Sequence, residues 1–371
     1  MKFNQWTLGL AALGVVSLAS AARADEKPSP VMTALSSTTL SGYVDTSAQW
    51  NLGTGNANNP AYAFGGASKA DGFNLNVVKI TLAKDADAAD SWGAGYKVDL
   101  LFGPDANTLA TQSTTSTGAG DFAVKQAYVD LKAPVGNGID FKIGVWDTII
   151  GYEVFDSGSN PNFTRSYGYS IEPTTHTGVL ASYQINDMIS VAAGIANTYG
   201  PTINGRATSF GKAESYKTYM ADVAFTAPTN WGWAGGSTIY ACVINGFNAA
   251  SPSKGGAAAD QTSFYIGSTL NTPVKELKLG ISYDYAGVSA QRVGGAAVAE
   301  GYANATALYA TYQLTEKLSF NSRGEWFTQS KANTAIPGIL AAGLPSKVLA
   351  LTETVQYDLG KNVLSRLELR W

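Results

Sequence analysis

Residues 92–103 alternate without a break. Trp92, Ala94, Tyr96, Val98, Leu100 and Phe102 fall on one face of an extended chain, and Gly93, Gly95, Lys97, Asp99, Leu101 and Gly103 on the other. An apolar face with aromatic rings at both ends, backed by a face carrying Lys and Asp, matches a strand that crosses a bilayer with one side in lipid and the other in water. A soluble sandwich strand also alternates, but its polar face resembles ordinary charged surface and its apolar face is less aromatic at the ends.

The same pattern recurs. In 40–51, Leu40, Val44, Ala48 and Trp50 oppose Ser41, Tyr43, Asp45, Ser47, Gln49 and Asn51. In 139–146, Ile139, Phe141, Ile143 and Val145 oppose Asp140, Lys142 and Gly144, and in 276–285, Leu277, Leu279, Ile281, Tyr283 and Tyr285 oppose Glu276, Lys278, Gly280, Ser282 and Asp284. Weaker segments at 73–84, 122–132, 177–186, 188–197, 216–226, 236–246, 262–271, 302–314, 317–328, 347–358 and 361–371 bring the count to 15. Single-chain bacterial barrels have even strand numbers. The odd count leaves two readings open: a further strand in the Gly-rich stretch 53–72, or a chain that stops one strand early. The expected fold is therefore all-β, a closed antiparallel transmembrane β-barrel of about 14–16 strands.

Connections alternate in length. Tight turns are expected at Pro134–Gly138, Asn186-Asp187, Asn271–Pro273 and Thr315-Glu316, and long polar links at 104–120, 148–175, 198–215, 247–261, 286–301 and 329–346. Short periplasmic turns and long outer loops give this rhythm in outer-membrane barrels. In the segment 347–358, Glu353 shares a face with Leu349, Leu351 and Val355, which a slip in strand phase would explain.

At the N-terminus, Lys2, the apolar run Trp6–Ala19 and the small-x-small site Ala22-Arg23-Ala24 read as a cleaved export signal. The expected organisation is signal peptide 1–24, polar leader 25–37 and barrel 38–371. Beyond Asp25 no apolar run approaches the ~18 residues of a membrane-spanning helix. A chain with only 14% charged residues and 40 glycines must then hide its apolar side chains by alternation. Acidic side chains outnumber basic ones, 28 to 25, and no basic tract marks a nucleic-acid surface. One cysteine, Cys242, excludes an intrachain disulfide, and with one histidine, His176, a Cys/His zinc site is excluded unless carboxylates supply most of the ligands. At the other end, Val363, Leu367, Leu369 and Trp371 share a face, like the C-terminal signal read by outer-membrane assembly machinery.

Residues 139–183 (IDFKIGVWDTIIGYEVFDSGSNPNFTRSYGYSIEPTTHTGVLASY) resemble the OmpL-like outer-membrane β-barrel porins, through Gly151-Tyr152-Glu153, Asn160–Tyr167 and Glu172–Gly178. The segment 70–84 and the ending Ser365–Trp371 are similar too. In that family a further strand ending in an aromatic follows the Arg366-x-Glu368-x-Arg370 strand, so stopping at Trp371 departs from the pattern.

The resemblance implies that the long link 148–175 folds inward and narrows the channel, with Glu153, Asp156, Arg165, Glu172 and His176 as constriction candidates. Opposed charges there would set a transverse field that orients polar solutes. A loop lying over the rim is the other reading. The lumen-lining candidates are Lys97, Asp99, Asp140, Lys142, Glu276, Lys278, Asp284, Arg323, Glu325, Arg366, Glu368 and Arg370, because charge at membrane depth faces the interior.

The expected function is passive diffusion of small hydrophilic solutes or ions through the outer membrane, with no cofactor, metal or catalytic group. The partners are outer-membrane lipids, the assembly machinery and the solutes, with no nucleic acid; a homo-oligomer is left open. A phospholipase-type barrel enzyme needs Ser and His within ~2.6–3.2 Å, and the same-face neighbours of His176 are Thr174 and Gly178. An adhesion or structural barrel is the third reading; a large strand number favours a water-filled pore.

Overall fold

The computed structural model describes residues 37–52, 63–86, 91–109, 111, 120–208, 215–247, 260–289, 291–293, 296–298, 300–330 and 346–371. The sequence-predicted export signal, most of the polar leader, and parts of several long links lie outside them.

Fifteen antiparallel strands form one sheet in chain order. They are β1 (Thr39–Gln49), β2 (Gly72–Lys84), β3 (Gly93–Phe102), β4 (Phe122–Ala133), β5 (Ile139–Asp147), β6 (Thr175–Gln184), β7 (Ile189–Ala196), β10 (Thr218–Thr226), β11 (Thr238–Phe247), β12 (Asp260–Asn271), β13 (Leu277–Val288), β16 (Gly301–Gln313), β17 (Leu318–Gln329), β18 (Lys347–Gly360) and β19 (Val363–Arg370). Two small ribbons, β8 (Ala207–Thr208) with β9 (Ser215–Tyr216) and β14 (Gln291–Val293) with β15 (Ala296–Val298), stand in the long links and were not expected. All fifteen predicted segments are strands of the main sheet. Residues 63–71, part of the stretch considered for a further strand, hold only the short 3-10 turn Ala67–Lys69 and a bridge from Ala70 to Gln49; residues 53–62 are outside the described set.

Each strand pairs with its chain neighbour, the arrangement that satisfies backbone N–H and C=O groups where no water can reach them. The expectation of a closed sheet is corrected: among the described residues no backbone ladder joins β1 to β19. The fold is barrel-like, and side chains bridge the two edges instead. Ser157, in the link after β5, hydrogen-bonds Asp45 of β1 through its hydroxyl, while its carbonyl accepts from Arg366 of β19 at 2.7 Å.

Alternation sorts the wall. Leu279, Ile281 and Tyr283 of β13 are exposed on the outside, while Gly280, Ser282 and Asp284 are buried inside. Exposed rings lie near strand ends, as with Trp50 against Phe73 and Phe102 against Phe122. Two expectations of phase are corrected. Glu276 lies in the exposed turn before β13 and does not line the interior. Glu353 needs no phase slip: it stands on the outer face with Leu351 and Val355, all three exposed, while Thr352 and Thr354 are buried inside.

Candidate functional site

The long link between β5 and β6 turns into the barrel rather than over its rim. Its path is fixed locally. Gly151 takes φ +117°, a conformation that favours glycine, where a side chain would strike the Glu172 carboxyl. Asn160 closes a small ring by accepting from the Val154 amide at 2.8 Å and donating to the Val154 carbonyl at 2.7 Å. Ser166 caps the short helix Tyr167–Ile171, accepting from the Tyr169 amide at 3.1 Å.

On one side the loop is held by charge. Lys79 of β2 donates to both oxygens of Asp156, at 2.9 and 3.0 Å, and the Tyr43 hydroxyl of β1 donates to the same carboxylate at 2.7 Å. Burial resists ionisation of Asp156, but Lys125 and Lys79 outweigh it and hold the group down at about 2. Arg323 of β17, fully buried, reaches Glu153 at 2.8 Å and Glu325 at 2.9 Å and donates to the Thr164 carbonyl. Glu368 of β19 accepts from the amides of Phe163 and Thr164 at 2.6 and 3.0 Å, and Glu325 accepts from the Tyr167 amide at 2.6 Å. Arg366 donates to the Asn160 carbonyl at 2.6 Å, and Arg370 to the Arg165 carbonyl at 3.1 Å. The charged side chains act on loop backbone as much as on loop side chains. They therefore fix where the loop sits.

On the other side the contacts are apolar and aromatic. Ile150 packs with Leu180, Ala192, Met220 and Ile244, which face inward from β6, β7, β10 and β11. Tyr152 stacks on Tyr309 of β16, ring centroids 4.1 Å apart, and its ring end lies where a Cβ at Gly280 would be. The Tyr240 hydroxyl donates to the Ile149 carbonyl at 2.6 Å. Glu172 meets Asp284 of β13 carboxyl to carboxyl; burial first, then the charge of Asp284, raises Glu172 well above the usual carboxylate range. A cavity of about 450 Å³ is bounded by this side of the loop and the wall, with Lys125, Asp147, Tyr152, Tyr240, Lys278 and Thr311 among its lining.

All five constriction candidates lie inside the barrel, with Glu153, Arg165 and His176 buried. They do not face each other across open water. Glu153 and Asp156 are mated to wall cations. Arg165 bonds the carbonyls of Phe155 and Phe163 and lies over the Phe64 ring at 5.2 Å. His176 sits on β6 with Nε2 3.1 Å from the Thr148 hydroxyl, beside Trp146. Of the lumen candidates, Asp99, Asp284, Arg323 and Glu325 are buried inside. Lys97 and Asp140 remain partly exposed there, and Lys142 lies over the Tyr128 ring at 5.2 Å.

Sequence reasoning missed Lys79 and Lys125. The register of β3 with β4 jumps from Asp99↔Gln126 to Leu100↔Val124, so Lys125 is the extra residue of a bulge; it is buried, ion-paired with Asp147 and 5.8 Å from the Phe155 ring. A second bulge, at Asp45/Thr46, leaves Asn76 and Val77 of β2 both buried and turns Lys79 inward, where a two-residue count carried on from the exposed Phe73 and Leu75 would have put it outside.

Comparison with known proteins places this geometry among channels. The family described as "Putative beta-barrel porin-2, OmpL-like" matches residues 37–371. No curated protein matches the chain. Solved structures that are similar in fold include these three. The outer membrane channel DcaP of Acinetobacter baumannii has TM-score 0.54 and 12% identity over 90% of both chains. The anion-selective porin from Comamonas acidovorans has TM-score 0.57 and 16% identity over 88% of this chain and 85% of that one. Salmonella typhi OmpF, solved with daunomycin, has TM-score 0.56 and 12% identity over 90% of both.

Proposed function

From the premise that the chain belongs to the OmpL-like beta-barrel porin-2 family, we propose that it is an outer-membrane porin through which small hydrophilic solutes or ions diffuse down their gradients. The observation that carries this reading is the loop after β5, held inside the wall from Lys79 of β2 round to Arg323 of β17 and Arg366 of β19. A loop anchored inside a barrel narrows the aqueous path without needing to move for each solute. The solute then passes between the loop and the wall, where the cavity lies. The partly exposed lumen charges set ion preference, and the buried ones keep the constriction in place. Residues 1–24 act as the export signal and 25–37 as a leader. Lipid, the assembly machinery and further copies of the chain are its membrane partners.

The test is single-channel conductance of the refolded chain, without residues 1–24, in a planar bilayer, with the reversal potential measured under a salt gradient. Stable ohmic steps are expected. Heat-modifiable, folded protein that gives no steps would overturn the porin reading.

A further inference from the structure

We infer that the outer face of β17 and β18 around Glu353 is a contact surface for a second copy of this chain. Glu353 is exposed in mid-strand, and its cross-strand partners are Ser322 on one side and Leu369 on the other. The row Trp326↔Leu349 lies four residues from it in one direction and the row Leu318↔Tyr357 four in the other. Trp326 and Tyr357 are exposed rings of the kind that mark the two membrane interfaces. Glu353 is therefore at the middle of the apolar band, where neither water nor a headgroup reaches. Other mid-strand carboxyls, Asp99, Glu325 and Glu368, point inward to wall or loop donors, and Asp284 is buried inside.

Among the described residues Glu353 has one donor, the Ser322 hydroxyl at 2.5 Å from Oε2. A carboxyl group offers more acceptor sites than one hydroxyl fills, and an acyl chain supplies no donor. Beside the pair the wall is low. Ala310 continues the same cross-strand row, and a side chain at Gly324 would meet nothing within 4 Å. Leu308 and Leu351 stand proud of this strip on the outer face.

A second copy inserted in the same orientation presents the same depth, because a symmetry axis along the membrane normal leaves depth unchanged. It brings a hydroxyl and a carboxyl to the level of Glu353. Two carboxyl groups meeting there can share one proton, and each Ser322 can serve either copy. Ala310 and Gly324 let the two walls approach. The inference rests on the barrel lying in a membrane, but not on its conducting.

The test is disulfide cross-linking of the full chain in native outer membranes. Ser322→Cys is nearly isosteric and points to the strip; Ala193→Cys, exposed on the outer face of β7, is the control. The native Cys242 is buried and faces inward. On mild oxidation Ser322→Cys is expected to give a reducible species of twice the chain mass, and Ala193→Cys to stay monomeric. Gly324→Cys repeats the measurement should Ser322→Cys fail to give folded, heat-modifiable protein. Both strip variants remaining monomeric would overturn the inference, and their labelling by a lipid-soluble maleimide would assign the surface to lipid. Absence of the protein from the outer-membrane fraction would instead defeat the porin reading.

Discussion

The wall that runs from β17 through β19 to β1 and β2 and the wall built by β6, β7, β10 and β11 hold the same loop by opposite means. The first uses Arg323, Arg366, Lys79, Glu368 and Tyr43, each aimed at a particular loop atom. The second offers Leu180, Ala192, Met220 and Ile244, to which Ile150 adds one more side chain. Apolar contact is non-directional and tolerates sliding, whereas a buried guanidinium between two carboxylates has one arrangement. Buried ion pairs are weak contributors to net stability, but breaking one strands a charge. The charged wall thus sets the position of the loop, and the apolar wall supplies bulk contact.

The strongest way to break this contrast is to remove Arg323. Arg323→Ala leaves Glu153 and Glu325 buried without their shared cation, and a loss of about 3–5 kcal/mol is expected. On the other wall Met220→Leu keeps volume and should lose less than about 1.5 kcal/mol. Urea midpoints of the heat-modifiable folded form measure both. Equal shifts would show that the two walls do not differ in kind.

Lys79→Met tests the loop rather than the barrel. Asp156 would keep Tyr43 but lose its bidentate partner, a change on the order of 1–3 kcal/mol for a buried charged acceptor. The loop should detach on its β1 and β2 side, so single-channel current should rise and become noisier. Met220→Leu should leave the current unchanged. A quiet, unaltered current in Lys79→Met would mean that Asp156 does not anchor the loop.

These particular residues also separate what sequence could reach from what it could not. Period-2 alternation located all fifteen strands, because a wall wet on one side and greasy on the other has to alternate. Inward charges in unbroken strands, such as Asp284 and Arg323, follow from the same count. Lys125 does not, since a bulge changes phase by one residue and nothing in the local sequence announces it. Nor does the mating of loop to wall. Glu153 and Arg323 are far apart in sequence, and which strand meets which loop atom depends on the barrel's curvature rather than on any local pattern. Glu353 teaches the converse: the alternation placed it outside, and the alternation was right.

The two sides should also part company with pH. Asp156 is held down at about 2, so its contribution is complete above the ordinary carboxylate range, ~4, and is lost as pH falls toward its own value. Glu172 is raised well above that range beside Asp284, so its contribution is present in acid and is lost as pH rises through the raised value. Acid should therefore loosen the loop at β1 and β2, and a rise of pH through the raised Glu172 value should loosen it at β13. Open-channel noise recorded against pH should climb at both ends. Glu172→Gln should abolish the high-pH limb and leave the acid limb in place; persistence of the high-pH limb would remove Glu172 from this role.

The smallest effect expected is on ion preference. Lys97 is about a third exposed and lies 3.7 Å from Asp99. Asp99 itself is already served by Lys79 at 3.4 Å, Thr81 at 2.6 Å and Gln126 at 2.8 Å. Lys97→Gln should then leave the fold unchanged and remove one cationic charge from the water-facing lumen. Screening acts over about 8 Å at physiological salt, so the reversal potential should move slightly toward cations, and further as salt is lowered. Arg366→Gln, on a cation engaged with loop carbonyls, should alter current noise before it alters preference. If Arg366→Gln shifts the reversal potential more than Lys97→Gln does in a quiet channel, the charged wall is selecting ions as well as positioning the loop.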